Sequence, residues 1–357
     1  MAPKTKFLTD NALTRKQWAK DLFIRILPDV EFNALVGKGA TAIVDSRSEL
    51  GKGEGDKITF AIRKPLIEDG IIGDKTVEGN EEKMSFKDFD MTIEEINKAV
   101  DTGGKMEEQR IPYDLYQMGR DALQEWWGEF LSDLLINTLA GNSDWTHAGV
   151  DFAQACAEPD VYHYLGAGQA DDTAVATVDA AIDSSCACDL NFLDRLKQKA
   201  EVPTGDNCYK LRPLKVKGKK YFRVYLHNYV FDNLRTNMNA GQWGDLKRAA
   251  MDLKVPDVEI EYNGMLISKS ERMPKVATVD TTGGAYRCIL LGCQAACWAW
   301  GGAGDSKSSI MSFVPYKKDA DRFVMIRGGG ILGVKKTRFE SVDYGVVTGV
   351  TFGHRLV

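Results

Sequence analysis

In TRKQWAKDLFIRILPD, Trp18, Leu22 and Ile26 recur at every fourth position and Pro28 ends the pattern. This predicts a short amphipathic helix with one sticky face inside a basic N-terminal arm that also carries Arg15 and Lys16. The period then changes. In GDKITFAIR, Ile58, Phe60 and Ile62 alternate with Lys57, Thr59 and Arg63, the period of two of a half-buried strand. The return strand is KMSFKDFDMTI, with Met84 and Phe86 on one phase and Phe89, Met91 and Ile93 on the other; the change of phase predicts a bulge. Residues 64–82 between these strands far exceed an ordinary hairpin loop of about two to five residues. They hold Gly70, Gly73, Asp74 and Gly79 with the acidic cluster Glu78, Glu81 and Glu82, and offer no face to bury. A two-stranded arm of this kind is not stable alone in water, so the pattern predicts support from outside its own fold.

The longest periodic stretch follows. Leu115, Met118, Ala122, Trp126, Phe130 and Leu134 form one ridge and Leu123, Trp127, Leu131 and Leu135 a second, predicting a helix from Tyr113 to Ala140. Pro112 stands at its expected start and Gly141-Asn142 at its stop. At about 1.5 Å per residue it would run roughly 40 Å, enough to span a domain. Residues 145–200 are rich in Ala and Asp, with a helix expected at LNFLDRLKQKA. Beyond them the text predicts a hairpin around Gly218, a strand over Tyr221–Leu226, a short helix, and two strands around Asn263-Gly264. The apolar segment YRCILLGCQAACWAWG and the strand-like RFVMIR and DYGVVTGVTFG complete the chain. Helices and strands alternate without a βα rhythm, so the expected class is α+β.

Composition narrows the function. The 357 residues are 44% hydrophobic and 27% charged, ordinary for a globular chain of about two domains. A formal net charge of -5 argues against a groove-reading nucleic-acid binder as the whole chain's role. No apolar run approaches the roughly 20 residues of a membrane span, and MAPKTKFLTD lacks a signal-peptide core, so folding in cytoplasm is expected. The seven cysteines lie between Cys156 and Cys297, an odd number that suits reduced, buried thiols better than a disulfide framework.

Each motif with possible chemistry has a plainer reading. Gly328, Gly330 and Gly333 satisfy the spacing of a dinucleotide fingerprint, but no amphipathic helix follows and the chain ends too soon for a ribose-binding acid; a flexible turn between strands is expected instead. Cys186 with Cys188, and Cys288, Cys293 and Cys297, lack paired knuckles for zinc and suit core packing. His147, His163, His227 and His354 are scattered, and His227 reads as a satisfied residue at a strand end. The glutamates of the arm read as a charged contact surface, since nothing on an exposed loop would tune them for acid–base work. The run Arg212, Lys215, Lys217, Lys219, Lys220 and Arg223 reads either as a patch for an acidic partner or, more plainly, as a solvated hairpin whose charges prevent edge pairing. No catalytic set, cofactor site or metal site is expected.

The blocks LTRKQWAKDLF, GDKITF, GDKTVEGNEEKMSF, GGKMEEQRIPYDL, YNGMLISKSERMP, LLGCQAACWAWG and GILGVKKTRFESVDYGVV follow one another in a known order. They resemble the tailed-phage major capsid proteins of the Hong Kong 97-type fold, and in wording the major capsid family typified by phage N-four. The resemblance is loosest from about residue 145 to 215. It implies an N-terminal arm over 1–50, an extension loop over 51–100 and a peripheral domain with a spine helix over 101–205. An axial domain over 206–315 would follow, then C-terminal strands over 316–357 returning to the peripheral domain. It further implies a non-enzymatic subunit that self-assembles, as hexamers and pentamers, into an icosahedral head in the host cytoplasm. That head would enclose double-stranded DNA without sequence-specific binding and without a membrane, with portal and scaffolding or decoration proteins as partners. Under this reading Gly70, Gly73, Asp74, Glu78, Gly79, Glu81 and Glu82 on the loop, and Arg15, Lys16, Trp18 and Leu22 on the arm, are subunit-interface residues. No crosslinking lysine or asparagine is assigned. The rival readings are an encapsulin-type compartment and, from another class, a metal- or nucleotide-dependent enzyme.

Overall fold

The computed structural model describes residues 32–47, 57–63, 70–73, 76, 78–79, 81–84, 86–110, 114–147, 150–151, 156–159, 162–164, 182–202, 209–238, 240–253, 255, 257–278, 283–301, 311–319, 323–339 and 341–355. Strands β1 (Val36–Gly37) and β2 (Val44–Arg47) precede a two-stranded ribbon, β3 (Lys57–Arg63) and β4 (Phe86–Thr92). The chain re-enters the body as β5 (Glu94–Gly104), then α1 (Lys105–Arg110) and the long helix α2 (Leu115–Ala140). After the short strands β6 (Thr146–His147), β7 (Val150–Asp151) and β8 (Tyr162–Tyr164) come α3 (Leu190–Glu201), β9 (Leu214–Val216) and β10 (Lys219–His227). Helices α4 (Asn228–Thr236) and α5 (Ala240–Leu253) lead to β11 (Ile260–Tyr262), β12 (Met265–Ser270), β13 (Lys275–Thr278) and β14 (Gly283–Leu291). The remainder is strand: β15 (Ala296–Gly301), β16 (Met311–Lys318), β17 (Phe323–Lys336), β18 (Arg338–Phe339), β19 (Val342–Asp343) and β20 (Val346–His354).

Two sheets organise these elements. The first runs β1-β2-β15-β17-β16, with β5 on the other edge of β17; the second runs β11-β12-β10-β14-β20-β8, with β13 and β9 attached to β14 and β10. Helices and strands mix without a parallel βα repeat, as the α+β expectation requires. The chain changes sheets over Gly292–Ala295, so YRCILLGCQAACWAWG is two buried strands joined by a crossing and not one segment. The crossing is stitched by backbone bonds from Cys293 N to Arg212 O (2.8 Å), Gln294 N to Ala42 O (2.8 Å) and Ala295 N to Ile43 O (2.7 Å).

Helix α2 begins two residues later than the pattern suggested, because Asp114 is its cap. Asp114 Oδ1 accepts from Tyr116 N at 2.9 Å and Gln117 N at 3.1 Å, satisfying two donors that the first turn leaves open. In its first half one ridge is buried, Leu123 and Trp127, while Met118 remains 56% exposed. From Leu134 to Ala140 every residue is buried, because both sheets contribute to one core around the helix: Trp298, Leu332 and Val334 from the first, Tyr225, Ile289 and Leu291 from the second. Two arginines reach the helix from the second sheet's side. Arg272 Nη1 meets Asp133 Oδ1 at 2.6 Å, and the buried Arg287 donates to Gly141 O at 2.5 Å and Ala140 O at 3.3 Å. The second contact places a cation where the helix leaves its last carbonyls unpaired.

The glycine run departs from expectation. Gly328, Gly330 and Gly333 lie within β17 and not in a turn. A Cβ at Gly328 would fall 2.6 Å from Phe313 and 3.0 Å from Trp127 Nε1, so the small residue makes room for two aromatic rings packed on the strand. The final strands also divide: β17 lies beside β5 and under α2, whereas β20 pairs with β14 along Gly283–Leu291 in the second sheet. Residues 316–357 therefore do not return as one unit to the helix-bearing sheet. Likewise β15, within the stretch expected to be axial, belongs to the first sheet.

His227 does sit at a strand end, as the N-cap of α4. Its Nδ1 accepts from Tyr229 N at 3.2 Å and its ring stacks on Tyr286 at 3.9 Å. Burial lowers its pKa from 6.5 to about 4. The unfolded chain thus binds the proton first, and stability contributed by neutral His227 is lost as pH falls from about 6.5 toward 4. His227→Asn keeps a capping acceptor without titrating, and its urea midpoint should fall less between pH 7 and 4 than that of the native chain. A second expectation concerns Gly141, which ends α2 at φ 67° with Ala157 O only 2.7 Å from where a Cβ would lie. Gly141→Ala should destabilise by about 1–3 kcal/mol, read as a lowered denaturation midpoint.

Candidate assembly interface on the projecting arm

The ribbon β3–β4 has an inner and an outer face. Register is continuous from Lys57 opposite Thr92 to Arg63 opposite Phe86, so the expected bulge is absent. Ile58 faces Met91 and Phe60 faces Phe89 across the strands. These four pack on Cys297, Ala299 and Phe339 of the body, with Phe89 and Met91 buried. Phe89 meets Phe60 and Phe339 at ring separations of 6.1 Å each, and Lys335 lies over its ring at 5.1 Å. Lys335 also donates to Asp90 O at 2.8 Å. On the outer face Asp90 accepts from Lys57 at 2.5 Å and Thr59 at 2.6 Å, and the Lys57 bond, ahead of the Thr59 bond, holds its carboxyl below the usual range. The arm's root is therefore supported by its own chain, contrary to the expectation that all support comes from outside.

The tip is different. Without a bulge, Met84 and Phe86 stay on the outer phase, 60% and 62% exposed, and Ile72 is 84% exposed. Gly73 (φ 77°) and Gly79 (φ 88°) hold left-handed conformations with nothing within 4 Å of a Cβ position, so backbone shape and not crowding selects glycine there. Gly70 also lies in open space. Glu81 Oε2 accepts from Gly79 N at 2.9 Å, tightening one turn, and Glu78 is exposed beside it. Glu82 is half-buried. Asp74 on the loop, and Arg15, Lys16, Trp18 and Leu22 on the N-terminal arm, lie outside the described residues. The apolar tip residues escape a reading that looks for glycine and charge; the phase change at Met84 and Phe86 was their signal.

The remaining candidates resolve structurally. Among the described residues, Cys156, Cys186, Cys188, Cys288, Cys293 and Cys297 are free and buried. Burial raises the Cys188 and Cys288 thiols far from reactivity and pushes Cys297 up to about 11. No group of three or more His, Cys, Asp or Glu among the described residues is placed to hold a metal ion. Arg223 leaves the basic run: it is buried and donates to Asp257 O at 2.9 Å, while Lys215, Lys217, Lys219 and Lys220 are exposed.

A projecting arm, a long helix and two sheets sharing one core define a shell-forming subunit fold, and comparison with known proteins agrees. The family model described as phage capsid protein matches residues 7–357, and the chain belongs to that family. It is a phage capsid protein with the Hong Kong 97-type fold. Over its full length it superposes on the capsid of Ralstonia phage GP4 with a TM-score of 0.76 at 21% identity, covering 97% of that chain. On the capsid of cyanophage Pam1 the TM-score is 0.71 at 18% identity, covering 99% of this chain and 97% of that one. The head protein of Helicobacter pylori bacteriophage KHP40 gives 0.65 at 13%, covering 92% and 91%. The major capsid protein of Pseudomonas phage KPP25 is 28% identical over 112 residues, 31% of this chain and 30% of that relative's length.

The two faces of the ribbon should respond oppositely to truncation. Phe89→Ala removes a buried ring and should destabilise the arm's root by about 3 kcal/mol or more, with faster proteolysis of the ribbon. Phe86→Ala should leave monomer stability within about 0.5 kcal/mol of native, since the side chain is 62% exposed.

Proposed function

We propose that the chain self-assembles into the closed icosahedral head of a double-stranded DNA phage by laying the tip of its arm, residues 70–84, over a neighbouring copy. The observation that carries this is the exposure of Ile72, Met84 and Phe86 on an arm whose root is anchored by its other face. Each such side chain, once covered, contributes about 1.5–3 kcal/mol. Glu78, Glu81 and Glu82 contribute orientation more than affinity, because exposed ion pairs yield only about 0–1 kcal/mol each. The N-terminal arm with Arg15, Lys16, Trp18 and Leu22 is assigned to the same set of contacts.

Rotationally repeated contacts close into rings, and one chain serves both hexamers and pentamers if its connections flex slightly. The left-handed glycines of the tip suit that demand. The blocks shared with the phage N-four capsid family support placement near that group, with a portal and scaffolding or decoration proteins as further partners. A net charge of -5 fits a container that encloses DNA without gripping it in a sequence-specific way. The role is non-enzymatic, and assembly takes place in the host cytoplasm.

Deletion of Gly70–Glu82 tests the reading. The expected product is a soluble monomer with native circular dichroism that forms no closed shells under negative-stain microscopy. Normal particles from the deletion variant would remove the arm from its assigned role.

A further inference from the structure

Asn263-Gly264 is the single Asn-Gly pair in the chain. It forms the two-residue loop between β11 and β12, closed by Tyr262 opposite Met265, with Asn263 at φ 45° and Gly264 at φ 70°. Both residues hold the positive φ of a mirror-image type I turn. The same dipeptide is chemically labile, because glycine offers no side chain to shield its own nitrogen. Once Gly264 N has given its proton to base, it can attack Asn263 Cγ. The Cγ–Nδ2 bond then breaks, ammonia leaves with a proton taken from water, and a five-membered imide remains. Addition of one water opens the imide to aspartate, or to isoaspartate with the chain running through the side-chain carboxyl.

Two side chains of α3 oppose that ring closure. Lys197 Nζ donates to Asn263 Oδ1 at 2.9 Å, and Asn263 Nδ2 donates to Asp194 Oδ1 at 2.9 Å. Only one orientation of the amide satisfies an ammonium on one side and a carboxylate on the other, so the pair fixes its rotation. Asp194 is itself held by the Tyr262 hydroxyl, which donates to Oδ2 at 2.9 Å, and the Lys197 side chain is only 18% exposed. On the far side of the turn Gly264 O accepts from Phe222 N at 3.0 Å, pinning the peptide that follows the attacking nitrogen. Ring closure requires the Asn263 ψ to leave the value of about +30° that this turn imposes, so the turn has to open and carry the amide off its α3 partners. We infer that Asn263 is a latent deamidation site, and that Asp194 and Lys197 are positioning residues that hold it unreactive. Loss of the guard has a structural consequence. A carboxylate at position 263 would stand against Asp194 where the amide nitrogen now lies, and isoaspartate would add a backbone atom to the loop that sets Met265 and Ile267 in the core of the second sheet.

Ageing the full chain in mildly alkaline buffer, with peptide mass spectrometry following deamidation at Asn263 and at Asn142, tests it. Asn142-Ser143 is the internal reference, because its amide is held elsewhere, by Asn137 Oδ1 at 2.8 Å. Lys197→Met and Asp194→Ala should each speed deamidation at Asn263 roughly tenfold, the effect of losing one hydrogen bond to a charged group, and leave Asn142 unchanged. Lys197→Arg keeps a cationic donor and should hold the rate within about threefold of native. Asn263→Asp, which copies the product, should lower the urea midpoint, and adding Asp194→Asn should recover it by removing the facing carboxylates. An unchanged or slower rate at Asn263 in either clamp variant overturns the inference. A rise shared equally by Asn142 would report general unfolding and overturn it as well.

Discussion

The fold depends on a helix end surrounded on all sides. Residues 134–140 of α2 are buried because both sheets close on them, and a helix terminus in that position must find partners for its carbonyls within the protein. Gly141 turns the chain left-handed and returns its N–H to Asn137 and Thr138, and Arg287 supplies the external donor. The arginine comes from β14, the strand that also pairs with β10, β13 and β20. One side chain thus ties the centre of the second sheet to the end of the helix that carries the first.

This arrangement makes the body self-sufficient and leaves the arm as the asymmetric element. Its root draws on body aromatics, and Lys335 joins the ribbon through both the Asp90 carbonyl and the Phe89 ring. A firm root fixes the direction in which the tip projects, and the tip leaves Ile72, Met84 and Phe86 exposed. A subunit meant to remain single would be expected to place polar residues at Ile72, Met84 and Phe86. Elsewhere the chain accepts buried charge where geometry is closed: Lys336 lies 2.8 Å from Asp343, and Arg338 approaches the same carboxylate at 2.9 Å. Burial lowers the Lys336 pKa against the opposing pull of Asp343, and removing Asp343 would leave the Lys336 charge uncompensated in the core.

Local patterns were legible where one period ruled a segment. The 3.6-residue ridges locate α2 to within two residues, Asn263-Gly264 and Gly218 mark real turns, and the period of two identifies β3. What failed was anything decided by tertiary contact. Glycine spacing at Gly328–Gly333 looks like a turn because nothing local reveals that Phe313 and Trp127 need the space. The parting of β17 and β20 between sheets follows from pairing partners far away in the chain. The arm was visible as an anomaly of length, and its acids and glycines as candidates. Its apolar tip was concealed by the assumption that a phase change must mean a bulge, when the simpler alternative was a ribbon whose second face is not meant for its own body.

The buried thiols have a consequence that belongs to the particle. A shell multiplies every feature of its subunit many times over, so one reactive sulfur on the surface would become a dense lattice of sites for oxidation and random bridging once the particle meets air. Cys186, Cys188, Cys288, Cys293 and Cys297 are each enclosed, and burial raises their thiols, so at these five positions a coat built from such subunits offers little sulfur chemistry to its surroundings. As far as those five sulfurs are concerned, its lifetime outside a cell would be set by how firmly its copies hold one another and not by the redox state of the medium.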